Sequence, residues 1–186
     1  HLQVENCTYA QLKELTYNGH DKIHMPTLEE FIKEFKGKDM ILVIEIKSNK
    51  VAIIEPLKEL IDKYDFYGQS YVITFENTNQ LKYMQQYYPE MPVGFLTNST
   101  YTGKSTLTNI IKTVGKYNSG YNPAYASYGA SYIRASLFRG ITTRPWTVND
   151  KSSVYNCIFD GHAAITTDHC QWTGDMIEKI TFDHVN

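Results

Sequence analysis

The stretch Met40-Ile41-Leu42-Val43-Ile44-Glu45-Ile46-Lys47 decides how this chain is read. It is continuous and apolar up to its last residues, as a strand covered on both faces should be. Successive strand side chains point to opposite faces, so Glu45 and Lys47 share one face at the carboxyl end of that strand. That end is where α/β proteins build their sites. A carboxylate there can hold a divalent metal, and an ammonium beside it can neutralise a phosphate oxygen. The same pair can also be a rim ion pair worth well under ~1 kcal/mol.

Outward from this strand the pattern alternates. Upstream, Tyr9 to Leu15 has helical spacing, and Thr27 is placed to cap a second helix with Glu29 and Glu30 in its first turn, ended by Gly37. Downstream, Pro56 to Tyr64, Asn79 to Tyr88, Leu107 to Val114, Ala130 to Phe138 and Ser152 to Phe159 read as helices. Between them Tyr71 to Phe75, Val93 to Leu96, Gly120 to Asn122, Ile141 to Thr147 and Ala163 to Thr166 read as strands. About six βα units imply parallel strands joined by right-handed crossovers, hence a single α/β domain over residues 1–186. No GxGxxG, GxxxxGK[ST] or GxSxG occurs, so dinucleotide, nucleotide and serine-hydrolase readings lose their main support. Gly103-Lys104-Ser105 looks like the tail of a phosphate-binding loop, but Asn98 stands where its first glycine belongs.

With 186 residues, one core burying roughly 70% of the unfolded surface is expected. The 18 basic and 20 acidic residues read as interspersed around a net charge of -2, which gives no nucleic-acid footprint. Cys7, Cys157 and Cys170 are an odd number without CxxC spacing, which argues against a disulfide framework or a zinc site. The tyrosines crowded between Tyr117 and Tyr132 suit either a stacking surface or a loop packed on its own domain. No apolar stretch approaches the ~20 residues of a membrane span. The chain as given reads as soluble; its compartment stays open, including an extracytoplasmic or membrane-tethered protein carried by a segment before His1.

Read together, several segments resemble the glycerophosphodiester phosphodiesterase family. Met25-Pro26-Thr27-Leu28-Glu29-Glu30-Phe31 looks like its "iPTLeE" helix start, and Val43-Ile44-Glu45-Ile46-Lys47 like its "nIEiK" strand. Val72-Ile73-Thr74-Phe75 is similar to "vxiSSF", with Thr74 for the usual serine. Arg139-Gly140-Ile141 followed by Pro145-Trp146-Thr147-Val148-Asn149 is similar to "rGixvxpWTVN", and Asp160-Gly161 with Ile165-Thr166-Thr167-Asp168 to "GvDGIiTD". The resemblance implies a (β/α)8 TIM-barrel type of fold, here incomplete. It implies a divalent metal, calcium or magnesium, with Glu45 as one ligand, weakly bound or absent in this chain alone. Lys47 would pair with the substrate phosphate, while Trp146 and Phe75 would wall the glycerol moiety.

The family's opening His-Arg-Gly strand, its Glu-x-Asp strand end and the following His-Asp pair do not occur here. Its general acid and base therefore have no counterpart, and no catalytic residue is assigned. His1 is not followed by aspartate, His20 and His24 read as loop residues on the far face, and His162 precedes a strand. Only His169 falls on the side of the chemistry, beside Asp168, which can also serve to cap a turn. Two readings follow. The complete protein is a metal-dependent enzyme that hydrolyses a small-molecule glycerophosphodiester to glycerol 3-phosphate and an alcohol, this chain alone being inactive. Alternatively it is a non-catalytic partial barrel that binds phosphate or a partner chain. In either case a missing amino-terminal segment, the segment Leu2 to Leu15 or a homodimer contact is expected to cover the open sheet edge.

Overall fold

The computed structural model describes residues 3–17, 20–98, 104–127 and 129–183. Helix α1 (Tyr9–Lys13) leads into an antiparallel pair, β1 (Thr16–Tyr17) and β2 (His20–His24). Then come α2 (Leu28–Phe35), β3 (Leu42–Ile46), α3 (Ile54–Lys63), β4 (Ser70–Phe75), α4 (Thr78–Tyr87), β5 (Val93–Leu96), α5 (Lys104–Lys116) and β6 (Gly120–Asn122). Helices α6 (Ala130–Leu137), α7 (Lys151–Asp160) and α8 (Cys170–Asp183) complete the chain. Strands β3, β4, β5 and β6 form one parallel sheet in sequence order.

Local chemistry explains the helix boundaries. Thr27 and Glu30 close a reciprocal capping box: the Glu30 amide donates to Thr27 Oγ1 at 3.2 Å, and the Thr27 amide to Glu30 Oε2 at 2.7 Å. The Asn77 side chain accepts the Asn79 and Gln80 amides at the start of α4. At α7, Asp150 accepts the Ser152 hydroxyl at 2.6 Å, and this, with the Ser153 side chain and the Ser153 amide at 2.9 Å, draws its pKa down to about 2. Gly161 ends α7 at φ 82°, a left-handed cap that glycine adopts without steric cost.

The sheet divides its side chains by pleat. One face packs under the helices: Ile46, Val72, Phe95 and Tyr121 join Ile32, Ile61, Leu81, Val114 and Ile133 in the main core. The other face carries a smaller cluster of Tyr71, Ile73 and Leu96, with Trp146 packed against it. Across this inner face Glu45, Ile73, Gly94 and Gly120 lie in one register row. Both glycines are required there. A Cβ on Gly94 would stand 2.1 Å from the Tyr71 hydroxyl and one on Gly120 2.5 Å, because the Tyr71 ring lies across both strands.

Three expectations need correction. His20 and His24 belong to strand β2, not a loop, and Cys170–Asp183 is a helix that the sequence reading left out. Ile141 to Thr147 and Ala163 to Thr166 are extended without forming full ladders. The first is bridged to the sheet only at Tyr121–Thr143 and Ala124–Trp146. The second is held by the Ala163 amide on the Thr143 carbonyl and the Thr166 amide on the Pro145 carbonyl, both 2.9 Å. Pro145 has no amide to give to a ladder, which interrupts the strand pattern there.

Among the described residues β3 pairs only with β4, so its other edge has no strand partner. Ile41 and Val43 on that edge are 65% and 54% exposed, and the helices of residues 4–13 bury no side chain over it.

Gly94→Ala should cost about 1–3 kcal/mol through overpacking against Tyr71. In a Tyr71→Ala background the same substitution should cost at least about 1 kcal/mol less, a coupling that a double-mutant cycle of denaturant unfolding measures. Additive costs would show that Tyr71 does not occupy that space.

Candidate functional site

The carboxyl ends of the strands form the mouth. Glu45 projects from β3 on the inner face, level with Ile73 of β4, and its Oε1 lies 2.6 Å from Lys47 Nζ. The Glu45 side chain is 27% exposed and that of Lys47 80%. The carboxylate is therefore set against the wall while the ammonium reaches into open space. On β4 the inner row Tyr71, Ile73, Phe75 ends with Phe75 at the rim, 37% exposed.

Trp146 is fixed more tightly. Its indole Nε1 donates to the Thr97 and Asn122 carbonyls, 3.1 Å each, so the ring is clamped over the ends of β5 and β6 and packs on the Ile73–Leu96 wall. The peptide between Trp146 and Thr147 is cis. Beneath this wall lies a polar network that the sequence reading missed. Tyr71 donates to Asn122 Oδ1 at 3.0 Å, and Arg144 Nη1 donates to the Tyr71 hydroxyl at 3.2 Å and to Thr142 Oγ1 at 2.8 Å. The Arg144 guanidinium also stacks on the Tyr71 ring, 4.3 Å from its centroid. Burial pushes the Tyr71 phenol up, and the Arg144 charge works against that. The signal was present: Arg144 stands two residues before Trp146 and so shares its strand face.

Glu76 is a second carboxylate that the sequence reading passed over. It follows Phe75 at φ 52°, and its Oε1 accepts the Asn98 amide at 3.1 Å, linking the ends of β4 and β5. On the far side of the mouth Asn149 and Asp168 clasp two loops: Asn149 Nδ2 donates to Asp168 Oδ2 at 2.7 Å, and the Asp168 amide returns to Asn149 Oδ1 at 3.0 Å. Asp168 thus has a structural duty, and His169 beside it is exposed, its ring 5.6 Å from that of Trp172.

The family model for the glycerophosphoryl diester phosphodiesterase family matches residues 2–171. The chain belongs to that family. Among solved structures it is similar to a glycerophosphodiester phosphodiesterase from Parabacteroides distasonis, at 21% identity and a TM-score of 0.79, over 94% of this chain and 72% of that one. It is also similar to one from Thermotoga maritima, at 18% identity and a TM-score of 0.70, with the same two coverages. These likenesses fix the fold as the (β/α)8 TIM-barrel type, of which β3 to β6 and the two extended segments form a continuous part. No curated protein matches the chain by sequence.

The family's metal can be tested against the donors in place. Among the described residues no group of three or more His, Cys, Asp or Glu side chains converges to hold an ion. A hard cation takes six or more oxygens, whereas Glu45 offers one carboxylate already engaged by Lys47. The described residues therefore do not make a complete metal site. His1 lies outside the described residues. His162 sits in the strand-to-helix layer, with Nδ1 2.8 Å from Thr143 Oγ1, and burial holds its ring below the usual imidazole range.

That last shift has a defined pH consequence. The unfolded chain binds a proton near 6.5 that the folded ring refuses, so the stability due to His162 is present above 6.5 and lost as pH falls from there through the folded value. A His162→Gln variant should show a flatter fall of thermal midpoint between about pH 7 and 5 than the parent. Parallel curves would show that the ring is not held neutral by burial.

Proposed function

We propose that the mouth built by Glu45, Lys47, Phe75 and Trp146 is the substrate-positioning part of a glycerophosphodiester phosphodiesterase site. The observation that carries this is the Glu45–Lys47 pair on the inner face beside the fixed Trp146 wall, in a chain of this family. Lys47 would meet a phosphodiester oxygen, and its charge would gain strength as that oxygen becomes more anionic in the transition state. Trp146 and Phe75 would pack against the glycerol carbons while the hydroxyls remain wet. Glu45 orients Lys47 and would supply one carboxylate to a calcium or magnesium ion, a group that polarises the phosphodiester when bound. The products would be glycerol 3-phosphate and an alcohol.

Among the described residues at this mouth, the exposed His169 is the one imidazole on the side of the chemistry, and no acid and base pair for a hydrolysis is assigned. The chain spans 72% of the Parabacteroides structure, and its β3 edge has no strand partner among the described residues. Two further βα units at that edge, from the same polypeptide or another, would close the sheet and bring the remaining groups to the mouth. The competing reading, a non-catalytic partial barrel that holds phosphate, keeps Lys47 and drops the chemistry.

The assay that separates the two is release of glycerol 3-phosphate from glycerophosphocholine. The 186 residues alone should show negligible turnover with or without calcium or magnesium. In a closed, active form Lys47→Met should lower kcat/KM by about 10² to 10³, with Trp146→Ala acting mainly on KM. Robust metal-dependent turnover by the isolated chain would overturn the assignment of the missing groups, and a fully active Lys47→Met variant would overturn its role.

A further inference from the structure

The charges that read as interspersed over the whole chain are segregated in one place. Between Glu90 and Asp150 there is no acidic residue, while Lys104, Lys112, Lys116, Arg134, Arg139 and Arg144 all fall there; all 20 carboxylate residues lie elsewhere. Arg144 is the interior cation under Trp146, but Lys112, Lys116, Arg134 and Arg139 are exposed on α5 and around the end of α6. A groove of about 460 Å³ runs between these two helices, lined by Lys112, Arg139, Thr108, Ser131, Tyr132 and Ile111 among others. The Arg139 guanidinium donates to the Ala135 carbonyl at 2.9 Å, which holds its head at the groove.

The same rim is apolar at its tip. Phe138 is 90% exposed and Leu137 45%, at the end of α6; Tyr155 and Phe159, ring centroids 4.4 Å apart, are half exposed at the end of α7. In βα units the helices run back antiparallel to the strands, so the carboxyl ends of α5, α6 and α7 lie at the face opposite the mouth. This surface is therefore separate from the Glu45–Lys47 site and independent of its reading. Asp160 ends α7 beside Phe159, so the cationic half is the side of α5 and α6.

We propose that this rim docks the protein on an anionic lipid bilayer, with Phe138 and Leu137 entering the headgroup boundary and Lys112 and Arg139 meeting lipid phosphates. Charge complementarity decides the occupant. Cations on a stretch of chain that carries no carboxylate of its own gain from the negative potential of a leaflet, and aromatic tips beside them are the interfacial pattern. Among the described residues no helix is long and apolar enough to cross a membrane, and the contact proposed is with the bilayer surface. Docked this way, the protein would turn its mouth toward water, where a deacylated glycerophosphodiester dissolves.

Co-sedimentation of the full chain with vesicles tests this. We expect binding to phosphatidylcholine vesicles containing about one third phosphatidylglycerol, none to phosphatidylcholine alone, and release at about 0.5 M salt. The double variant Lys112→Gln with Arg139→Gln should weaken partitioning roughly 25-fold, and Phe138→Ser roughly tenfold. A matched pair on the opposite flank, Lys33→Gln with Lys36→Gln, should leave it unchanged, with circular dichroism confirming that each variant folds. Absence of binding to anionic vesicles, equal loss in the matched pair, complete displacement by millimolar inorganic phosphate, or a dimer abolished by Phe138→Ser without vesicle binding would each overturn the proposal.

Discussion

The arrangement of the mouth depends on one register constraint. Because β3, β4, β5 and β6 are parallel and in step, Glu45, Ile73, Gly94 and Gly120 occupy a single inner row. Two of those four positions have no side chain, and Tyr71 fills the space, reaching Asn122 across the sheet. Arg144 then stacks on Tyr71, and Trp146, two residues on, is clamped by the β5 and β6 carbonyls. A one-residue slip of β3 would turn Glu45 and Lys47 toward the helices and place an apolar side chain at the mouth. Placement of the acid–base pair is thus a property of the ladder rather than of the pair's own attraction, which in so exposed a setting is small.

Much of this was legible in the chain. The apolar run ending in Glu45-Ile46-Lys47, the Thr27 cap and the strands at Val93 and Gly120 each carry a strong local signal, and the structure places all of them. The family could be read from five short motifs in order, and the match over residues 2–171 bears that out. What escaped was set by tertiary context. Ile141 to Thr147 has strand-like composition, but Pro145 withholds a ladder donor, so its order comes from Trp146 and two bridges. Glu76 carries no signal in the sequence, and only its left-handed backbone and the Asn98 amide give it a place. Helix α8, with Gly174 in its middle and weak periodicity, had little to announce it.

The part of the barrel described here buries a helix-facing core and an inner cluster of different kinds, besides a third cluster of Val148, Val154 and Cys157. The helix-facing core is fully buried and apolar, with Ile32, Ile54, Ile61, Val72 and Val114 at zero exposure. The inner cluster is small and mixes apolar and polar contacts, and beyond Ile73 toward β3 it gives way to exposed Val43. On this half-open inner face the Trp146 side is held by two hydrogen bonds to strand-end carbonyls, while the Glu45 side is partly exposed. Closing the sheet would sharpen the site: the dielectric around Lys47 would fall, and each contact to an anion would strengthen.

The central claim is that Lys47 and its partner Glu45 face a phosphate-bearing ligand at the inner mouth. The most direct measurement is a ³¹P NMR titration of glycerol 3-phosphate with the protein, in the parent and in Lys47→Met, with Lys50→Met as the exposed control from the same loop. The account predicts a shifted and broadened phosphate resonance in the parent and the Lys50→Met variant, and loss of both effects in Lys47→Met. An unchanged titration in Lys47→Met would contradict it.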